Sequence, residues 1–292
     1  MDKSELPEVP KEQVSAILGF IEYKMEPLKN DFVNTILRDD IFRLLDKQDC
    51  IVIYYPKEGE KNNGFHVKYP IQGEWKHFVY INTAQDKEKQ IYTAAHELGH
   101  VWDLIGWMEQ KGFTGDENWK ESIVNRFAAE ILMPQEKFQT SAQRELDAAR
   151  TRHTEKQLTI GNMIRAITAI MDEFFTPYRS VVYRLYELEL ISKKSVEILL
   201  RDNEIDNNSV YEYSKEIARE QGYSRLYQPP DNSRYIEGLK ELLDKASMME
   251  TLPKKWLESF YELFELQINN RDCDFTETLP DNNGFRLEGG GC

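Results

Sequence analysis

Between Cys50 and Asn82 three short runs, "CIVIYYP", "GFHVKYP" and "HFVYIN", are rich in β-branched and aromatic residues and are separated by turn formers such as "KNNG". Runs so closely spaced predict a small antiparallel sheet, and the segments on either side have a different period. Ahead of them, helices are expected over roughly Lys11 to Leu28 and Asp31 to Lys47. Behind them, Ile91, Ala95, Leu98, Trp102 and Ile105 recur at helical steps, with Gly106 as the expected stop. A second helix is predicted from about Asn118 to Met133, closed by Pro134. The polar stretch Ser141 to Lys156 reads as a solvated helix or an insertion ahead of the apolar "IGNMIRAITAIMDEFF". Everything after about Lys193 looks helical and acidic, with a break at "YQPPDN". So little strand among so much helix predicts an α+β, helix-dominated fold: a small antiparallel sheet beside two helices, followed by a helical C-terminal region.

The chain of 292 residues is 40% hydrophobic and 30% charged, the profile of a folded globular protein. No apolar run reaches membrane-spanning length, and "MDKSELPEVPKEQ" lacks the apolar core of a secretory signal, so no membrane partner and a cytoplasmic location are expected. Cys50, Cys273 and Cys292 are odd in number and widely spread, forming neither a disulfide framework nor a metal knuckle. A net charge of −14 repels a phosphate backbone, which disfavours nucleic acid as a direct partner. The segment "TPYRSVVYRLYELELIS" has a helix-turn-helix look with Arg179 and Arg184, but its glutamates favour packing against the central helices.

Within the first helix of this central region lies "TAAHELGHVWDL". Residues four apart share a helix face, so His96 and His100 can grip one ion, while Glu97, turned by about 100°, stands beside it. Two neutral imidazoles and a carboxylate suit zinc, and a carboxylate in the position of Glu97 can take a proton from a water. Gly99 and Ala95 would let a neighbouring element come close. By itself the spacing leaves open that these are two ordinary histidines of a buried helix. Glu121 falls about twenty residues after His100, at one margin of the apolar arc of Val124, Phe127, Ala128, Ile131 and Leu132, where a returning helix would present a third ligand. Asn125, one turn on, could orient a ligand. Glu130 is on the opposite side and reads as a solvated charge.

"HELGH" followed by "ESIVNRFAAEILMP" resembles the ImmA/IrrE family of zinc metallopeptidases, whose second motif reads approximately E-x-x-A-N-x-F-A-x-x-L-L-M-P. Glu121, Asn125, Phe127, Ala128, Leu132, Met133 and Pro134 match it, while Val124 and Ile131 depart from it mildly. The similarity runs from about residue 30 to 193. It implies a Zn2+ endopeptidase of narrow specificity that cuts a protein substrate, a helix-turn-helix repressor, to switch on a stress, defence or mobile-element response. By position, His96, His100 and Glu121 would hold the metal and Glu97 would be the general base. Residues 1–193 are then a metallopeptidase domain with N-terminal helices, and residues 194–292 a helical region of unassigned role with a flexible tail. An additional oxyanion donor is sought among His66, His77, Tyr69 and Tyr80, none of which stands out. A zinc cap formed by Cys292 or Cys273 is conceivable, although an idle thiol in the "RLEGGGC" tail is the simpler reading. The competing class is a non-proteolytic regulator with structural zinc that binds a partner through its C-terminal region.

Overall fold

The computed structural model describes residues 8–32, 36–59, 63–151, 159–201 and 210–266. The expected α+β, helix-dominated class is found, with twelve α-helices and one three-stranded sheet among these residues. The chain divides into two compact units, Met1–Glu237 and Gly238–Cys292.

In the first unit, helix α1 (Lys11–Met25) and a short α2 (Asp40–Asp46) precede strands β1 (Cys50–Tyr55), β2 (Gly64–Ile71) and β3 (Glu74–Asn82). Of the helix expected over Asp31 to Lys47, the described residues form only the end, where Ile41, Leu44 and Leu45 turn a buried stripe to the core. β2 and β3 form a hairpin whose two turn residues, Gln72 and Gly73, both have positive φ, the geometry that fits the twist of antiparallel strands.

The sheet is mixed and not wholly antiparallel: its order is β1-β3-β2, and β1 runs parallel to β3. The reason lies in β3, whose Val79 and Ile81 are fully buried. It takes the centre, and the chain after β1 passes to the far side before the hairpin turns back between. The outer edge of β1 is met by an antiparallel bridge from Tyr54 to Tyr235. Among the described residues no strand pairs with the outer edge of β2.

Behind the sheet lies α3 (Lys87–Val101), followed by α4 (Leu104–Gln110). The helix breaks earlier than expected, at Asp103, which is left-handed with φ 60. Gly106 falls inside α4, where the Asp103 side chain folds back so closely that a Cβ on Gly106 would collide with it. Helix α5 (Glu117–Leu132) starts where the Asp116 carboxylate accepts from the Trp119 amide, 2.9 Å, and ends just before Pro134. α3 and α5 come close at Gly99, where a Cβ would come within 3.0 Å of Phe127 and 3.1 Å of Val124. Phe127 is wedged in turn against Phe20 of α1 and Trp102.

Helix α6 (Gln135–Thr151) is not the solvated segment expected from its polarity. It buries Phe138, Ser141, Ala142, Leu146 and Ala149 in a stripe against α7 (Ile160–Phe174), and its small residues there make the stripe easy to miss. Helices α8 (Tyr178–Glu187), α9 (Lys193–Leu199) and α10 (Val210–Glu220) extend the same core, which includes Val196, Leu199, Ile217, Ala218 and Leu226. The second unit contains α11 (Leu239–Met248) and α12 (Lys254–Leu263) around a small core of Leu243, Leu257 and Tyr261.

Candidate metal centre

Helix α3 brings His96 and His100 onto one face, and α5 returns past it with Glu121. The ring nitrogens His96 Nε2 and His100 Nε2 are 3.3 Å apart. Glu121 approaches both, with Oε2 at 3.3 Å from His96 Nε2 and Oε1 at 3.8 Å from His100 Nε2. One ligand atom from each of the three lies within 4.8 Å of the others, a spacing that suits a single shared cation. The remaining nitrogen of His96, Nδ1, donates to Asn125 Oδ1 at 3.0 Å, which fixes the tautomer that leaves the Nε2 lone pair free. Asn125 therefore does orient His96. Its own carbonyl is held by the Tyr92 hydroxyl at 3.0 Å. Tyr92 was not singled out in the sequence, yet it stands one turn before His96 on the same face of α3, and that spacing was the available signal.

The electrostatics follow from burial and proximity. Burial pulls the His96 pKa down, but the Glu121 and Glu97 carboxylates outweigh it and leave it above its ordinary value. His100 is pushed below its ordinary value by burial and by His96. The neighbouring His96 holds Glu121 low. Glu97 is only 4% exposed, and burial raises its carboxyl to about 7 against the opposing pull of His96. A carboxyl poised there can take a proton and give it back near neutral pH.

Strand β2 lies over this face of α3. A Cβ on Gly64 would stand 2.5 Å from Thr93 Cγ2, 2.5 Å from the Tyr80 carbonyl and 3.5 Å from Glu97 Oε1, so only glycine lets the strand settle beside the carboxylate. Two residues on, the His66 ring stacks parallel to that of His100 at a centroid distance of 6.0 Å. His66 Nε2 is 2.8 Å from His77 Nδ1. Burial, with His77 and His100 close by, lowers the His66 pKa to about 4. Of the other oxyanion candidates, Tyr80 donates its hydroxyl to the Tyr55 carbonyl at 3.0 Å, and Tyr69 points to solvent at 60% exposure.

Glu130 requires a correction. It is no solvated charge: at 2% exposure it forms the centre of a buried network with Arg126 (2.9 Å) and Arg184 (2.7 Å). Arg184 is completely buried and also donates to the Met133 carbonyl at the end of α5, while Arg126 pairs with Glu187 at 2.8 Å. α5 is buried on more sides than its apolar arc alone indicates, and its partner Arg184 lies 54 residues away. Arg184 thus packs against the central helices. Cys273 and Cys292 lie outside the described residues.

Two histidines from one helix and a carboxylate returned by a second thus form a candidate metal site beside a buried glutamate. Residues 45–186 match the family model described as Peptidase_M78, IrrE N-terminal-like domain. The match includes all of β1, β2, β3, α3 and α5 and stops one residue short of the end of α8. No curated protein and no solved structure matches the chain. Among the described residues no helix is long and apolar enough to cross a membrane.

Proposed function

We propose that the protein is a cytoplasmic zinc endopeptidase of narrow specificity whose substrate is another protein, a helix-turn-helix repressor. The observation that carries the zinc reading is the convergence of His96, His100 and Glu121. Around a zinc with ligands at about 2 Å, tetrahedral geometry spaces those ligands by about 3.3 Å. The His96–His100 and His96–Glu121 separations of 3.3 Å match this, and His100–Glu121 at 3.8 Å is within a small side-chain adjustment of it. Two imidazoles and one carboxylate leave a fourth position for water or substrate, the donor set of a catalytic and not a structural zinc.

When bound, zinc would polarise the scissile carbonyl and make a water acidic enough to attack at neutral pH. The chain's own residues do the rest. Glu97, next to the cation but turned off the ligand face, takes the proton of the attacking water and passes it to the leaving amine. Asn125 keeps His96 in its ligating tautomer, and Tyr92 keeps Asn125 in place. Strand β2, whose outer edge is unpaired among the described residues, packs on α3 and can take an extended peptide segment by backbone pairing.

A non-proteolytic regulator with structural zinc has no need of a buried, unligated carboxylate beside the site, and Glu97 therefore favours the peptidase. The repressor substrate rests on the family resemblance alone. The test is to load the protein with zinc and incubate it with helix-turn-helix repressors from the same organism, alongside Glu97→Gln. The expected result is repressor fragments with the parent protein and none with the variant, at one zinc per chain in both. Zinc retention without fragments from either protein would reject this substrate, and a variant that regulates normally in cells would reject proteolysis as the function.

A further inference from the structure

Strand β2 sends alternate side chains to the face it shares with α3, and two successive ones bracket the site. Gly64 sits against Thr93 and Glu97, while His66 sits against His100. One strand step therefore spans from the general base to a metal ligand. His66 is paired in register with Val79, and its ring reaches diagonally along β3 to His77, which itself pairs with Lys68. The two imidazoles are stacked with centroids 5.0 Å apart and share the 2.8 Å contact between His66 Nε2 and His77 Nδ1. With Nε2 so engaged, Nδ1 is the one ring nitrogen of His66 left to meet a ligand, and it makes no hydrogen bond among the described residues.

We propose that His66 is a substrate-contacting residue, donating from Nδ1 to the oxygen of the scissile carbonyl as that oxygen gains negative charge, and that His77 is the positioning residue that sets its tautomer. This rests on the peptidase reading above. The role requires that His77 Nδ1–H donate to His66 Nε2, so that a neutral His66 carries its hydrogen on Nδ1. Were the contact reversed, His66 would offer only a lone pair to the oxyanion and would repel it. The role needs a donor held rigidly before the reaction begins, and the stack between two other histidines supplies that rigidity. Tyr69 and Tyr80 cannot take the role, the first facing solvent and the second committed to the Tyr55 carbonyl.

The experiment uses the full chain loaded with zinc and acetohydroxamate as a small oxygen-donor probe of the metal site. Its affinity is measured by calorimetry, beside zinc affinity by chelator competition and the thermal unfolding midpoint. His66→Ala should weaken acetohydroxamate about tenfold or more, which is about 1.4 kcal/mol, while zinc affinity is unchanged. His66→Asn, whose amide nitrogen stands where Nδ1 stood, should restore binding, whereas His66→Gln, which places its amide at the Nε2 position, should not. His77→Ala should weaken the probe by a smaller factor, without touching zinc. Should the alanine variant fail to fold, the Asn and Gln pair decides by itself. Equal binding by Asn and Gln variants, or wild-type binding by His66→Ala, overturns the proposal and leaves the peptidase reading standing. A wild-type chain that binds no zinc overturns both.

Discussion

Glu97 owes its properties to its surroundings: a carboxyl 4% exposed, raised by burial to about 7 where the unfolded chain would have an ordinary glutamate at 4.5. The sign of the resulting linkage is fixed. Because the folded-state pKa is the higher one, the group's stabilising contribution is complete below pH 4.5 and drains away as pH rises towards 7. The loss amounts to about 3 kcal/mol across that window. In metal-free protein, Glu97→Gln has no such loss. Thermal unfolding in the presence of a chelator is therefore expected to show the variant more stable than the parent at pH 8, with the gap closing by about pH 4.5. A gap independent of pH would mean that Glu97 is not desolvated. Cys50 gives a second check at this scale. Burial, with Asp46 and Asp49 nearby, raises its thiol to about 11, and its Sγ lies 3.4 Å from the Leu45 carbonyl as donor. In a chain with Cys273 and Cys292 replaced by serine, alkylation at pH 8 should be slow and should accelerate up to about pH 11.

Elements are held in place by two contacts of different kinds. At Gly99 the helices α3 and α5 come so close that a methyl group would meet Phe127 at 3.0 Å and Val124 at 3.1 Å, and Phe20 and Trp102 back Phe127 against giving way. Gly99→Ala is expected to raise intrinsic helix propensity yet push the Glu121 helix away. Zinc affinity should fall about fivefold or more, close to 1 kcal/mol, with helix content by circular dichroism unchanged. The second contact is the buried network of Arg126, Glu130, Arg184 and Glu187, which ties the end of α5 to α8. Arg184→Ala leaves Glu130 short of a charge partner and the Met133 carbonyl short of a donor, at an expected cost of about 3–5 kcal/mol in urea unfolding. Arg184→Met combined with Glu130→Leu should cost less than that single change, since it removes the charge with its partner.

These same elements show what a sequence can and cannot disclose. The convergence of His96, His100 and Glu121 is legible because one helical period and one return distance suffice to bring them together. The burial of Glu130 is not legible because its angle on α5 describes that helix alone, while the guanidinium that pairs with it comes from α8. The parallel pairing of β1 with β3 was likewise hidden, since spacing along the chain does not say which strand takes the centre. His66 could not be told from His77, Tyr69 and Tyr80 until the register placed it over His100.

At the scale of the whole chain, the family match ends at residue 186 while compact packing continues to Glu237. A family pattern marks the residues that build the site, and a packing unit marks those that share a core. Helix α10 and the segment after it contribute Ile217, Ala218 and Leu226 to the main core, and Tyr235 pairs with Tyr54 on the edge of β1. Cutting the chain after residue 193 would uncover these core contacts and reopen that edge. Cutting after Glu237 spares them, because Leu243, Leu257 and Tyr261 form a core of their own. A chain of residues 1–237 is therefore expected to keep one zinc per molecule and an unfolding midpoint close to that of the full chain. One of residues 1–193 should unfold at a clearly lower temperature and aggregate through its exposed core surface. Residues 238–292 have, among the described residues, a small core of their own and are expected to give by themselves a helical circular dichroism signal with a low unfolding temperature. If the 1–193 chain instead melted like the full protein, the residues after 193 would be accessories to the metallopeptidase fold and not part of its core.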